Sequence, residues 1–484
     1  MTDQTRVTTA PSALRQTLDP LQVGALALGC IIGFGCFVLP GDFLATAGPL
    51  GASLGVLLGG LAMLVIARSY GVMVRTFPVA GAVFAYAYFA GGRYHAYICG
   101  WFLALGYLSV VPLNATALGM LGKFVAPGLF ARGYLYSVSG FDVYAGEIGL
   151  ASAAILTIGW FQTRGVGRIG RLQLGLTAVL VGGVLIVGLG PTVTDHVSLA
   201  NLQPWFAANP GSLAGVLAIV AIAPWLYVGF DTLPQAAEEF AFSPRQGLRL
   251  MTMSIGAGAI MYAMVILSTA SVMPWPTLVE SGTPWATGDA IRTSLGPVGL
   301  ACLAMAVMMA VFTGINGFLM ASSRLLYGMG RAKLLPVWFA DVDTRSQTPI
   351  HATRFVMIIA LIAPWFGREV IVWVVDMAAL GTAFGYLYTC IAAFHTARDG
   401  VDARARDGMM ALFGGLLSVG FIILLCVPGM PGFMSTPSWI ALAVWIAMGG
   451  VFLASRAGQY RTLTPGELDR LILRRVDSPD TQRR

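Results

Sequence analysis

Runs of about 20 apolar residues, the length an α-helix needs to cross the hydrocarbon core of a bilayer, recur along the whole 484-residue chain. Charged residues make up only 11% of it, against roughly 25% in a soluble domain, and the mean hydropathy is +0.77. In lipid every backbone polar group must be satisfied within the protein, so the runs read as helices. Twelve are expected, at 20–44, 50–76, 95–124, 144–163, 170–190, 213–240, 246–273, 297–327, 351–367, 369–396, 409–428 and 436–455. The longest connections, 124–143, 274–296 and 328–350, are too short for a soluble domain. The fold class expected is an all-α polytopic membrane protein.

Charge distribution orients the bundle. With twelve spans both termini lie on one side. If that side is cytoplasmic, it holds 25 of the 29 Lys and Arg residues, leaving Lys123, Arg132, Arg292 and Arg368 opposite. Such an excess is the positive-inside pattern. It places the chain in the cell (cytoplasmic) membrane, multi-pass, with cytoplasmic N- and C-termini, the lipid bilayer as partner and no nucleic acid. The first 19 residues are polar and carry no removable signal, so helix one is expected to serve as targeting signal. The six cysteines (30, 36, 99, 302, 390 and 426) all sit in apolar runs and read as buried thiols, with no disulfide framework and no metal spacing. No metal and no cofactor are expected.

Two of the expected helices are interrupted. In Leu28–Pro40, glycines at 29, 33 and 35 break the first, each costing about 1 kcal/mol against alanine in a helix interior. In Ala223–Pro234, prolines, Gly229 and Asp231 break the sixth. Glycines of this kind serve either helix packing or a backbone opened to grip a solute. Two Gly/Pro-interrupted segments at corresponding positions of two halves point to a transporter site. A pseudo-two-fold axis relating helices 1–5 to 6–10 sets 33–35 against 228–230. The chain then divides into a tail (1–19), a first repeat (20–190), a second repeat (213–396), two peripheral helices (409–455) and a second tail (456–484).

A half-helix N-terminus presents free N–H groups and partial positive charge. The N–H groups of Phe34 and Gly35 suit a carboxylate. Carbonyls freed at Ile31, Trp225 and Val228 suit an ammonium. Together they match an α-amino acid zwitterion, with no charged side chain required.

These stretches resemble a known family. Gly-x-Ile-Ile-Gly-x-Gly-x-Phe-x-x-Pro at 29–40 is similar to the first helix of the amino acid–polyamine–organocation superfamily. Gly229-Phe230-Asp231 with Ala237-Glu238-Glu239 resembles its sixth, Ala321–Arg331 with Leu335-Pro336 its eighth, and Asp376–Thr382 its tenth. The four matches come in family order. The resemblance implies the LeuT-type five-plus-five inverted repeat with two extra helices, and secondary active transport of an amino acid or amine by alternating access. It implies that the Gly33-Phe34-Gly35 backbone takes the carboxylate, that Ile31, Trp225 and Val228 take the amino group beside Gly229, and that Trp225 gates the pocket from outside. Packing is the alternative role for Trp225. The chain departs from the family in carrying Phe at 34, which narrows the pocket or gives it an apolar wall, and Gly330-Arg331-Ala332-Lys333 where relatives often have Ala-Arg-Asp-Gly.

Ionisable residues inside spans are costly and usually functional. Asp231 is either a proton or conformational switch or an acceptor for N–H groups exposed by the break. Asp376 reads as structural. Glu238 and Glu239 are expected to pair with arginines such as Arg245 or Arg324 as an inner gate. Thr313 and Asn316 offer one hydroxyl and one amide, too few for a sodium site, so exchange, coupling to protons and uniport stay open. Helix three, through 101–111, is expected to line the side-chain pocket. It carries no acid, which favours a neutral, largely apolar amino acid. Asn114-Ala115-Thr116 has the form of a glycosylation sequon but lies at membrane depth. In the tail, Thr464-Pro465-Gly466-Glu467 reads as a helix start, its arginines lying on lipid headgroups or in solvent. The substrate is a small molecule, and the state is monomer or homodimer.

Three other readings compete: a polyamine or amine transporter of the same fold, an amino acid-sensing receptor that binds without transport, and a membrane enzyme. The last lacks a catalytic constellation, since His95, His196, His351 and His395 are dispersed and no H-E-x-x-H or phosphate-binding loop occurs.

Overall fold

The computed structural model describes residues 14–138, 141–208, 211–281, 285–367, 369–399, 405–430 and 433–474. Arg6, Arg368, Arg404, Arg475, Arg483 and Arg484 of the charge pattern, and the outer parts of both tails, lie outside the described residues. Among the described residues, nine helical segments are long and apolar enough to cross a membrane.

The chain enters at α1 (Pro20–Ile32), started by Asp19, whose side chain accepts the Gln22 N–H at 2.8 Å in a capping box with Pro20 at the first position. It breaks at Gly33 and resumes as α2 (Gly35–Val38) and α3 (Pro40–Thr76). Within α3 the axis turns at Gly48, φ 72°, just before Pro49, so the expected first and second helices meet there. α4 (Ala82–Gly91) was not expected; it fills the connection to α5 (Arg93–Val125). The expected loop 124–143 holds α6 (Pro127–Phe130) and an antiparallel hairpin of β1 (Tyr134–Val138) and β2 (Phe141–Tyr144). α7 (Ala145–Gln162) and α8 (Val166–Leu189) follow.

The expected sixth helix is the most fragmented. It comprises α9 (Ser212–Ala221), α10 (Ala223–Leu226), an open stretch, α11 (Thr232–Gln235) and a 3-10 turn at Ala237–Glu239. α12 (Gly247–Val272) and α13 (Trp275–Glu280) lead to α14 (Ala286–Arg331), which bends at Gly296, φ 67°, before Pro297. Its first part, 286–296, occupies nearly half of the loop expected at 274–296. The expected ninth helix is α15 (Ile350–Ala360), shortened because the chain tightens to a 3-10 turn at Ala363–Phe366 around Pro364. α16 (Glu369–Asp399), α17 (Ala405–Cys426) and α18 (Thr436–Thr462) complete the bundle. The expected tail helix is α19 (Pro465–Leu468), which passes into a π-turn at Asp469–Leu473. Thr464 caps it with the expected box to Glu467.

Three of the twelve expected spans, the fourth, sixth and ninth, are not among the nine segments. The sixth is broken, the ninth is short, and α7 has Glu147 and Gln162 near its ends. The core is formed by α5 against α14 and α16, and by α3 against α12. The helix breaks sit within it.

Candidate functional site

The first break turns on a single residue. Gly33 has φ 49° and ψ −174°, in the region where a side chain is strained. Its N–H still donates to Gly29 O at 3.2 Å, so it is spent within α1. The next two N–H groups, of Phe34 and Gly35, take part in none of the hydrogen bonds among the described residues. The carbonyls shed by the end of α1 are met by Tyr262 on α12. Its hydroxyl lies 3.0 Å from Ile32 O and 3.4 Å from Ile31 O. With one proton it serves mainly Ile32, which leaves acceptor capacity at Ile31.

The second break spans Tyr227–Asp231. Val228 N–H donates to Trp225 O at 3.3 Å. Gly229 has φ 133°, and a Cβ there would lie 2.6 Å from Cys30 Cβ and 2.9 Å from Ile31 N. The two breaks therefore touch, backbone against backbone, and only glycine permits it. Phe230 wedges behind the break between Tyr70, edge-on at 5.5 Å, and Tyr386, stacked at 5.6 Å. Asp231 is fully buried. One carboxylate oxygen accepts the Gly229 N–H at 2.9 Å and the other the Tyr107 hydroxyl at 2.8 Å. Its contacts are those of the structural acceptor rather than a group facing a ligand.

Between the breaks lies a cavity with about 340 Å³ of space free of protein atoms, open solvent included. Ile31, Gly33, Phe34, Gly35, Trp225 and Val228 of the expected site all line it. Gly229 lies just behind, against Cys30. Trp225 is half-buried at its edge, and a Cβ on Gly35 would come 3.3 Å from the Trp225 ring and 3.2 Å from the Tyr262 hydroxyl. Phe34 supplies an apolar wall. The α5 contribution is displaced from expectation: of 101–111 only Val110 reaches the cavity, joined by Leu113 and Asn114. Tyr107 is committed to Asp231, and Trp101 stacks on Trp445 at 4.6 Å on the far face of α5. Tyr262, Phe318 and Asn114 were missed, since one polar or aromatic residue in an apolar run carries no periodic signal.

Thr313 does not face the cavity. Its hydroxyl lies 2.8 Å from Ala310 O and 3.1 Å from Gly29 O, tying α14 to α1. Below it Asn316 donates to Gln173 Oε1 at 2.7 Å and accepts from Gln162 Nε2 at 2.7 Å. These amides join α7, α8 and α14. Asp376 accepts from the Ser438 hydroxyl at 2.6 Å and the Ser435 N–H at 3.2 Å, securing the start of α18.

The remaining expected acids form a plug at the end of the bundle that carries the described chain termini. Arg324 and Glu239, both 0% exposed, make a two-pronged ion pair at 2.6 and 3.2 Å. Glu238 accepts from Arg331 at 2.8 Å, from the Ala80 N–H at 2.9 Å and from Arg474 at 2.9 Å. Of the two arginines expected beside these acids, Arg324 is found, on Glu239, while Glu238 is held by Arg331 and Arg474 rather than by Arg245. For Arg474 the tail reading is corrected, because this residue is buried in the plug, whereas Arg470 is exposed. Glu239 O accepts the N–H groups of Thr17 and Leu18, both at 3.0 Å, and Ala241 N–H donates to Leu18 O at 2.9 Å.

A bundle of membrane-length helices, two of them opened around a buried cavity, is built as a multi-pass membrane transporter. The amino acid permease family model matches residues 18–452, and the chain belongs to that family, within the amino acid–polyamine–organocation superfamily. It is 27% identical to a methylthioribose transporter of Bacillus subtilis, over 92% of this chain and 94% of the relative. It is 27% identical to the branched-chain amino acid permease BcaP of the same organism, over 73% and 75%. It is 25% identical to the vacuolar cationic amino acid transporter 4 of Arabidopsis thaliana, over 82% and 66%. The family and these relatives are permeases and transporters of small molecules, not enzymes.

Proposed function

We propose that the chain is a secondary active transporter that carries a neutral, largely apolar amino acid across the cytoplasmic membrane by alternating access. The observation that carries this reading is the cavity itself. Phe34 and Gly35, whose N–H groups donate to no group among the described residues, line it from one break, and Ile31 and Val228 line it from both. No charged side chain lines it among the described residues. A zwitterion complements such a wall, with its carboxylate at the α2 N-terminus and its ammonium at the carbonyls. A cationic side chain would lack a counter-ion there, since Asp231 is not among the described residues that line the cavity.

In this reading the chain makes twelve spans in a LeuT-type five-plus-five inverted repeat, with 20–190 and 213–396 as the repeats, 409–455 peripheral and both tails cytoplasmic. Trp225 is the outer gate and the Glu238–Glu239 plug the inner one, while Asp231 and Thr313 hold the breaks in register. The protein works as monomer or homodimer. Coupling is by exchange, protons or neither.

A second reading follows from the likeness to the methylthioribose transporter along nearly the whole of both chains: the cargo is a neutral hydroxylated solute with an apolar arm. A polyamine carrier would leave the helix-one N–H groups unused, and a receptor would bind without transport. Uptake into proteoliposomes separates the four. Entry of labelled neutral amino acids supports the proposal, and its response to a proton gradient or to internal substrate defines coupling. Entry of methylthioribose or of polyamines alone overturns the zwitterion, and binding without entry identifies a receptor.

A further inference from the structure

Asn114 is the polar side chain of the cavity wall that the reading above leaves unused. It sits on α5, 3% exposed. Its Nδ2 donates to Val110 O at 2.9 Å, one turn back. That bond identifies which end of the amide is oxygen, because a backbone carbonyl only accepts. Oδ1 is closed off from solvent and accepts no hydrogen bond among the described residues. Gly314 on α14 makes room for the amide, as a Cβ there would lie 2.5 Å from Oδ1.

The Trp225 indole N–H can only donate, and the other polar side chains of the wall are committed. Tyr262 serves the carbonyls that end α1, and Cys30 Sγ lies 3.8 Å from Thr313 O. Val110, Leu113, Leu226, Val228 and Phe318, which line the cavity with Asn114, are apolar. A buried acceptor without a donor is unfavourable until a ligand supplies one. No carboxylate lines this part of the cavity, so a neutral donor fits better than an ammonium or guanidinium.

We propose that Asn114 Oδ1 accepts a hydrogen bond from a side-chain hydroxyl of the substrate. The site would then select a short hydroxylated neutral amino acid over its apolar isostere. This rests on the zwitterion reading and narrows it to an apolar side chain bearing one donor. Threonine and valine are the natural probe pair, equal in shape and differing by hydroxyl against methyl.

The test uses the full chain in proteoliposomes, with labelled threonine uptake competed by threonine, valine and allo-threonine, for the wild type and Asn114→Leu. The wild type is expected to prefer threonine to valine by at least about tenfold, because a site built to bond a hydroxyl rejects the analogue lacking it. Asn114→Leu is expected to weaken threonine by at least about tenfold and leave valine within about threefold, a split that a purely structural role would not produce. If the variant does not fold, wild-type discrimination between threonine and allo-threonine, which differ only in where the hydroxyl points, carries the test. Equal affinity of the wild type for all three, preference for valine, or an unchanged preference in Asn114→Leu overturns the inference. Failure of every amino acid to compete or enter is a different pattern: there the zwitterion reading falls, and this inference with it.

Discussion

In the cavity, the N–H groups of Phe34 and Gly35 and the Asn114 oxygen are without partners among the described residues. Farther along the sixth helix, Glu239 and Arg324 saturate each other, and Glu238 holds two arginines and a backbone N–H. Both regions are buried in the same apolar bundle, where leaving polar groups unmatched is costly. The plug meets that cost with charges from distant segments and is closed. Among the described residues the cavity leaves it unmet and uses no charge, which is the arrangement the proposed substrate would complete. A satisfied network holds a conformation; an unsatisfied one selects a guest.

The contrast breaks most visibly at the plug. Arg324→Ala leaves Glu239 buried without a partner and is expected to destabilise the fold by about 3–5 kcal/mol, whereas replacing both partners by leucine recovers much of the loss. Thermal and denaturant unfolding of the purified protein would check both. At the cavity the expected effect is on binding. Gly35→Leu drives a side chain into Trp225 and Tyr262 and is expected to weaken substrate binding by more than about 100-fold while costing about 1–3 kcal/mol of stability. Equilibrium binding beside a melting curve separates the two. Trp225→Ala opens the edge of the cavity and should raise the substrate Kd about tenfold with little change in Tm, an effect of about 1.4 kcal/mol.

Smaller effects sharpen the comparison at the tail. Arg474→Ala leaves Arg331 on Glu238, so its expected cost is below that of breaking a buried pair outright, about 3–5 kcal/mol. The readout is faster hydrogen exchange across 463–473. Glu467 is held below the ordinary glutamate range by the Thr464 N–H and then by the Thr464 hydroxyl. A depressed carboxylate stabilises the folded form above its unfolded value and loses that contribution as pH falls through the folded value. The α19 turn should therefore lose protection against exchange, measured relative to the intrinsic amide rate, as pH drops below about 4. Unchanged protection would mean the cap does not hold the tail.

Much of this was legible in the residues. Apolar runs announced the helices, and Gly33 and Gly229 announced the breaks, because a glycine with positive φ is a local requirement. Thr464 and Glu467 announced their own cap at a spacing of three. Phe34, Trp225 and Val228 were placed at the cavity from the breaks alone. The partner of Glu238 was not legible. The sequence offered many arginines, and packing brought up Arg331 and Arg474 rather than Arg245. Nor was the cavity face of α5, where a displacement from the expected stretch exchanged Tyr107 for Asn114. α4 and the hairpin at 134–144 were hidden because short elements in connections carry little periodicity.

The sequence by itself determined that this chain lives in a membrane, where its helices lie, and which two of them open, since hydrophobicity and backbone freedom belong to residues and their near neighbours. Only the tertiary structure decided that the two breaks meet, that Asp231 is bound up with Tyr107, that Tyr262 covers the end of α1, and that Asn114 keeps a free oxygen. Those depend on side chains more than a hundred residues apart arriving at one place, and packing, rather than local preference, chooses which of many similar groups arrive.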